Sequence, residues 1–96
     1  MKIKYSPESI NDLERLVNFV ENKNPLAARR IAIDLLEAMQ KIKQFPQIGL
    51  PVSSAKSRNQ IRDLYIQKYT VRYLITNTVV YILRVWHNKE NEKNTI

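Results

Sequence analysis

The side chains that could perform acid–base or phosphate chemistry are concentrated in the last third of the chain. His87 is the only histidine among the 96 residues, and Lys89 and Glu90 follow it closely. Histidine side chains ordinarily titrate near neutral pH, so His87 could give or take a proton, with Glu90 as a candidate base. Arg72 and Arg84 precede it within apolar segments, and arginine holds phosphate or carboxylate oxygens through paired N–H groups. These residue types could together carry acid–base chemistry at a bound phosphate or carboxylate group, with Arg72, His87 and Glu90 as the candidate catalytic set.

The same residue types also fit a surface that binds a nucleic acid or a protein without any chemistry. The candidates for such a surface are basic or aromatic residues of the second half: Arg62, Lys68, Arg72, Arg84, Trp86 and Lys89. Asp63, next to the first of these arginines, is a further candidate base. Structural roles compete with each assignment, because a histidine at a strand end often only hydrogen-bonds the backbone and a tryptophan there often belongs to the core.

Composition argues against several kinds of site. With no cysteine and one histidine, the chain has neither a thiolate nucleophile nor the ligands of a typical zinc site. A chain of 96 residues forms one domain with a modest core, so we expect a single domain over residues 1–96. We also expect no metal and no cofactor. The longest apolar run, Val79–Leu83, is too short to cross a membrane, and the N-terminal residues lack the apolar region of a signal peptide. A cytoplasmic location is therefore expected.

The net charge of +7 is high for a chain of this length. Residues 51–96 carry eight of the sixteen basic residues but only three of the nine acidic ones, so the positive field belongs mostly to the second half. A basic surface of this kind predicts an acidic partner, either a nucleic acid or an acidic protein.

The first half of the chain predicts a short strand over residues 2–5 and two amphipathic helices. Ser6 followed by Pro7 marks the start of the first helix, and Asn24 followed by Pro25 marks the start of the second. The predicted apolar face of the first helix consists of Ile10, Leu13, Val17 and Val20. That of the second consists of Ala28, Ile31, Leu35, Met39 and Ile42, widened by Ala32, Leu36 and Ala38. Only a short turn separates the helices, which predicts an antiparallel hairpin.

The second half begins with an irregular connection and continues as strands. Residues 46–60 hold two prolines, the only glycine and three serines, and they predict a loop. Beyond them the apolar period changes to two, which predicts strands over residues 61–67, 69–75 and 79–86. In the last of these strands, strict alternation places four residues on one face: Val80, Ile82, Arg84 and Trp86.

The predicted order is therefore β-α-α-β-β-β. This is an α+β fold in which a helical hairpin packs on one face of a small antiparallel sheet, leaving the other face partly open. Arginine is rarely buried without a partner, so Arg72 and Arg84 are expected on the open face, free to hold an anion. The polar residues 90–96 predict a loose C-terminal tail.

Three segments in this order resemble the RelE/ParE superfamily, the bacterial toxins of type II toxin–antitoxin modules. They are NPLAARRIAIDLLEAMQKIKQFPQIGLPV, IRDLYIQKYTVRYLI and VVYILRVWHNKEN, and the resemblance covers residues 2–91. Its most specific features are P-x-A-A at the start of the second helix, F-P-x-x-G at its end, Y-x-V-x-Y in a strand and I-L-R-V-W-H in the last strand. The resemblance implies the same β-α-α-β-β-β fold.

The superfamily implies one of two activities. RelE-like toxins cut messenger RNA on the ribosome with basic residues of the open sheet face and a tyrosine or histidine near the C-terminus, whereas ParE-like toxins inhibit DNA gyrase by binding. This chain has Thr70 where RelE-like nucleases commonly have arginine, and no tyrosine follows Tyr81. These departures and the R-V-W-H-x-x-E ending favour the ParE-like branch. We therefore expect growth arrest through gyrase, with a ribosome-dependent mRNA endoribonuclease as the alternative and a non-toxic basic nucleic-acid-binding domain as the second alternative.

The resemblance also implies a cognate antitoxin protein. An acidic, partly disordered antitoxin segment could wrap the toxin, bury apolar anchors and pair with its basic side chains, giving a toxin–antitoxin hetero-oligomer. Arg62 is a candidate contact for an antitoxin carboxylate.

Overall fold

The computed structural model of the protein describes residues 1–52, 60–90 and 92, and it has the predicted α+β architecture. In chain order the elements are β1 (Lys2–Tyr5), α1 (Pro7–Glu21), α2 (Pro25–Gln44), β2 (Leu50–Pro51), β3 (Ile61–Ile66), β4 (Tyr69–Ile75) and β5 (Val79–His87). A single 3-10 turn, Pro46–Ile48, joins α2 to β2. Among these residues, no helix is both long and apolar enough to cross a bilayer.

The five strands form one mixed sheet in the order β1-β5-β4-β3-β2. β3, β4 and β5 pair antiparallel, as expected from their short turns, and β2 pairs antiparallel with β3. The expectation of a wholly antiparallel sheet is wrong, because β1 runs parallel to β5. The helical hairpin, rather than a tight turn, follows β1, so no turn forces β1 to run antiparallel to its neighbour. The predicted loop over residues 46–60 contains the short strand β2, and residues 53–59 of it lie outside the described residues.

Both predicted helix starts are confirmed. The Ser6 hydroxyl oxygen accepts from the Ser9 N–H at 3.0 Å, and the Asn24 side-chain oxygen accepts from the Ala27 N–H at 3.1 Å. Each cap satisfies a backbone donor that has no partner inside its helix.

The two helices differ in how well their apolar pattern predicts the buried face. On α2 the buried residues are Ala28, Leu35, Ala38, Met39 and Ile42, as predicted, whereas Leu36 is 62% exposed. On α1 the buried face is rotated from the predicted one, because its buried residues are Ser9, Asp12 and Leu16, while Ile10 is 46% exposed. Two polar side chains therefore occupy the inner face of α1.

A bulge in β5 decides which side chains reach the open face of the sheet. Arg72 pairs with Arg84 but the next residue, Tyr73, pairs with Ile82, which leaves Leu83 without a partner in β4. A bulge of one residue reverses the alternation beyond it. Ile82 and Val85 consequently belong to the core beneath the helices. The prediction that Arg84 shares a face with Val80 and Ile82 is wrong.

The core lies between the helices and one face of β3, β4 and β5. Its buried members are Leu16, Leu35, Met39, Ile42, Tyr69, Val71, Tyr73, Val80, Ile82 and Val85. Tyr73 also fixes the turn after α2, since its hydroxyl donates to the Pro46 carbonyl at 2.6 Å and accepts from the Gly49 N–H at 2.9 Å. Burial raises the pKa of Tyr73, which keeps the hydroxyl proton available for this bond. Tyr73 thus holds the F-P-x-x-G motif against the sheet directly before β2 begins.

Candidate functional site

Arg72 lies on the face of the sheet opposite the helices and is held by Asp63. The two residues are direct cross-strand partners on β4 and β3. Arg72 Nε and Nη2 donate to the two carboxylate oxygens of Asp63 at 2.8 and 2.9 Å, and only 2% of the Arg72 side chain is exposed. The hydrogen bonds that Arg72 donates to Asp63 raise the pKa of Arg72, so the guanidinium keeps its charge. Arg72 and Asp63 therefore form a buried, bidentate ion pair.

Two further groups surround this ion pair. The Arg72 guanidinium carbon lies 5.1 Å from the ring centroid of Trp86, a cation–π geometry, and Trp86 is 5% exposed. Glu92 Oε2 lies 2.9 Å from Arg72 Nη2. Trp86 is thus a packed support for the guanidinium rather than a free platform for stacking a base.

Arg84 is held in the same manner by Asp12, which reaches it from α1. Arg84 Nε and Nη2 donate to the two oxygens of Asp12 at 2.8 and 2.9 Å, and Asp12 also accepts from the Val85 N–H at 2.9 Å. Burial alone would raise the pKa of Asp12, but the bonds from Arg84, Val85 and Arg15 outweigh it and hold that pKa below its usual value. The carboxylate is therefore ionised and fully engaged at neutral pH.

The expectation of free arginines on an open sheet face is wrong for both Arg72 and Arg84. Strand register places Asp63 opposite the first, and the inner face of α1 supplies Asp12 to the second. A guanidinium at these partly or fully covered positions is stable only with such a partner, because burying an unpaired charge is strongly unfavourable.

Arg62, the expected antitoxin contact, is also engaged within the chain. Its Nη1 donates to the Gly49 carbonyl at 2.8 Å and to the Gln47 carbonyl at 3.3 Å. The guanidinium therefore closes the turn between α2 and β2, and any contact with a partner would have to share or replace these bonds.

His87 lies on the other side of the sheet. It pairs with Tyr69, whose ring meets the imidazole edge-on at a centroid distance of 5.2 Å and an interplanar angle of 82°. The Lys89 N–H donates to His87 Nδ1 at 3.0 Å, which assigns the proton of the neutral ring to Nε2. The sheet thus separates His87 from Arg72 and Arg84, and these three side chains do not form one site.

A cavity of about 800 Å³ opens beside His87, between the helical hairpin and the ends of β4 and β5. Its lining residues are Arg15, Leu16, Phe19, Val20, Ala27, Arg30, Ile31, Asp34, Gln67, Lys68, Tyr69, His87, Lys89 and Glu90. The surface of the cavity is mostly apolar, and four of the five basic residues that line it are exposed at its rim: Arg15, Arg30, Lys68 and Lys89. The cavity therefore brings together His87, Glu90 and both candidate lysines.

Glu90 belongs to this cavity rather than to a loose tail. One carboxylate oxygen accepts from the His87 N–H at 3.1 Å, and the other accepts from Arg15 Nη1 at 2.8 Å. Glu92 is likewise placed, through its ion pair with Arg72. Glu90 and Glu92 of the expected tail thus each have a contact within the chain, while residues 91 and 93–96 lie outside the described residues.

The sequence alone did not identify two α1 residues that contact the candidate residues. Asp12 pairs with Arg84, and Arg15 pairs with Glu90. Asp12 and Arg15 share a face at a spacing of three, and Arg15 connects Asp12 to Glu90. Ser9, Asp12 and Leu16 recur at steps of three and four, so the sequence does contain the pattern of the buried face. A prediction based on apolar residues alone does not detect it, because two of the three residues are polar. Within residues 1–52, 60–90 and 92, no three acidic or histidine side chains lie close enough to hold a metal ion.

A helical hairpin packed on one face of a small five-stranded sheet is the architecture that the RelE/ParE resemblance implied. Residues 3–92 match the family described as ParE toxin of the type II toxin-antitoxin system, parDE, and the chain therefore belongs to that family of toxins. Membership implies an antitoxin partner.

Two similar proteins agree with this assignment. The toxin RelE2 of Caulobacter vibrioides is 24% identical over 87 residues, which cover 90% of this chain and 93% of the relative. The solved structure titled "Chromosomal ParDE TA system from P. aeruginosa" superposes with a TM-score of 0.74 at 18% identity, covering 91% of this chain and 95% of that one. The second similarity establishes the shared fold.

Proposed function

We propose that this toxin arrests growth by binding DNA gyrase and that it does not cleave RNA. Gyrase is the target that the resemblance to the ParE-like branch implies, and the family match is consistent with that branch. The observation that carries the proposal is the separation of His87 from the two strand arginines: Arg72 and Arg84 are paired internally on one side of the sheet, and His87 lies on the other.

Cleavage of RNA by attack of the 2′-hydroxyl requires a base, an acid and phosphate-binding cations around one bond. Asp63 and Asp12 already neutralise the two arginines that would hold the phosphate. His87 lines a cavity with Glu90 and several basic residues, but neither Arg72 nor Arg84 lines it. A protein that only has to bind its target does not need a base, an acid and cations placed around one bond.

One observation favours the endoribonuclease as a second candidate. The cavity does collect an imidazole, a carboxylate and two lysines, in His87, Glu90, Lys68 and Lys89. Both oxygens of that carboxylate are already engaged within the chain, one by Arg15 and the other by the His87 N–H. Burial, followed by the charges of Glu90 and Asp34, raises the pKa of Tyr69, so that hydroxyl stays protonated near neutral pH and cannot replace Glu90 as the base.

The antitoxin is the partner that best fits the cavity itself. Leu16, Val20 and Ile31 supply an apolar floor, and Phe19 at its edge is 63% exposed. The basic residues of the rim complement an acidic segment, and their charges would speed association more than they would strengthen the complex. We propose that an amphipathic acidic segment of the antitoxin places apolar side chains on this floor.

Expression without antitoxin tests the proposed activity. The chain is induced in bacteria, and plasmid supercoiling and messenger RNA integrity are measured in the same cells. Loss of supercoiling with intact messenger RNA is expected, both for the chain and for His87→Ala, with the exposed-turn variant Asn77→Ala as the matched control. Messenger RNA cut at codon-defined positions, with cutting lost in His87→Ala alone, would contradict the proposal.

A further inference from the structure

The guanidinium of Arg72 is only partly used by the chain. It has a side edge, formed by Nε and Nη2, and an end edge, formed by Nη1 and Nη2. Asp63 occupies the side edge with both of its oxygens. At the end edge, one oxygen of Glu92 lies near Nη2, whereas Nη1 is buried and has no hydrogen-bond partner in the described part of the chain.

An unsatisfied donor on a buried, charged group is energetically unfavourable, and native proteins rarely retain one without a reason. The end edge of a guanidinium matches a planar group with two oxygens, which can accept from both nitrogens at once. Glu92 contacts only Nη2, so Nη1 at the same edge has no acceptor among the described residues.

We propose that the end edge of Arg72 is a binding site for a carboxylate of the antitoxin, and that Glu92 occupies it in the antitoxin's absence. An acidic side chain of the partner replaces Glu92 and accepts from both Nη1 and Nη2. The proposal rests on membership of the toxin family, which implies the antitoxin, and not on the identity of the cellular target.

The charges around Arg72 favour a carboxylate over a nucleic-acid phosphate. Asp63 balances the positive charge of Arg72, and Arg84, on the neighbouring strand, is balanced by Asp12. Successive phosphates of RNA require net positive charge along their path. A single carboxylate requires only two well-placed donors.

Glu92 can be displaced because its own side chain is exposed, although the Arg72 side chain that it contacts is only 2% exposed. Its side chain is 58% exposed, whereas the side chain of Asp63 is 9% exposed. Ion pairs at exposed positions are weak, so a competing carboxylate with two contacts can take the place of Glu92 while the buried pair with Asp63 stays intact.

Trp86 supplies the signal for a direct test. It is the only tryptophan of the chain and it lies against Arg72, so its fluorescence reports on this site. The probe is an acetylated and amidated peptide of alternating glutamate and alanine, titrated into the purified full chain. Glu92→Gln is compared with Glu37→Gln, which removes the same charge from an exposed position on α2.

The expected result is that Glu92→Gln binds the peptide about two- to five-fold more tightly than the wild type, the range that an exposed ion pair supports, with a change in Trp86 emission. Glu37→Gln is expected to bind like the wild type. Equal affinities for the two variants would overturn the proposal. So would a result in which the Glu92→Gln effect appears with a single-stranded RNA of equal charge and not with the peptide. Neither readout depends on gyrase, so the outcome is independent of the proposed target.

Discussion

Asp12 on α1 accepts two hydrogen bonds from Arg84 on β5, a residue 72 positions later in the chain. The contact compensates for the short length of β1, which ends at Tyr5 beside Ile82. Beyond that point α1 takes over the edge of β5: the Ser6 hydroxyl donates to the Leu83 carbonyl, and Asp12 accepts from the Val85 N–H. One carboxylate therefore joins the helical layer to the sheet and closes a strand edge.

Asp12→Ala should consequently destabilise the fold strongly. The substitution leaves the Arg84 guanidinium and the Val85 N–H without their acceptors, and we expect a loss of about 2–4 kcal/mol in the free energy of unfolding. Guanidinium chloride denaturation followed by circular dichroism measures this loss. Glu14→Ala, an exposed position on the same helix, is the control and should change stability by less than about 0.5 kcal/mol. A loss for Asp12→Ala as small as that of the control would show that the pair contributes little.

The pH dependence of stability provides a separate test of Asp12. Its pKa is lower in the folded chain than its usual value of 3.8, so folding favours the ionised form. The resulting stabilisation is fully present above pH 3.8 and is lost as the pH falls through the folded-state pKa. Denaturation curves between about pH 2 and pH 6 should therefore show the wild type approaching Asp12→Asn in stability at the acid end. A constant difference between the two proteins across this range would contradict a lowered pKa.

Gly49 is required for space rather than for backbone conformation. A Cβ atom there would lie 2.7 Å from the Tyr73 hydroxyl oxygen and 2.9 Å from the Asp63 carbonyl oxygen, while its φ of −74° suits any residue. Gly49→Ala should cost about 1–3 kcal/mol of stability, measured by thermal or chemical unfolding. Gln47→Ala, exposed in the same turn, is the control.

Tyr73→Phe, combined with Gly49→Ala, identifies the atom responsible. Removing the hydroxyl removes one of the two clashes, so the double variant should lose less stability than the sum of the single variants. Strict additivity would mean that the hydroxyl does not oppose the new methyl group.

Phe19 should matter for antitoxin binding and not for folding. It lines the cavity while 63% of it is exposed, so Phe19→Asp removes an apolar contact and adds a negative charge facing an acidic partner. Co-purification of the tagged variant with its antitoxin should fall at least about ten-fold, equivalent to 1.4 kcal/mol. Leu26→Asp is the matched control, because Leu26 is 77% exposed and does not line the cavity. Equal retention of antitoxin by both variants would place the partner elsewhere.

Local sequence signals predicted both helices and four of the five strands, all but β2, but not the pairing of charges. The serine and asparagine caps, and the stripe from Ala28 to Ile42, follow from rules that act within one helix, and the structure confirms them. The bulge at Leu83 could not be predicted, because VVYILRVWH is apolar at nearly every position and so has no alternation that a bulge would interrupt. The bulge nevertheless decides that Arg84 faces away from Ile82.

The ion pairs depend on contacts between distant elements. Asp63 meets Arg72 because of the register of β3 against β4, and Asp12 meets Arg84 because α1 crosses β5 where β1 stops. Neither relationship is encoded in a short window of sequence. For this reason the arginines were expected to be free for an external anion and are instead engaged within the chain.

A supercoiling assay with purified components is the sharpest test of the proposed binding of gyrase by the toxin. Purified toxin is added to gyrase, ATP and relaxed plasmid, and a parallel reaction contains translating ribosomes and messenger RNA. We predict that supercoiling is inhibited in proportion to toxin concentration while the messenger RNA stays full length. Normal supercoiling together with ribosome-dependent cuts in the messenger RNA would contradict the account.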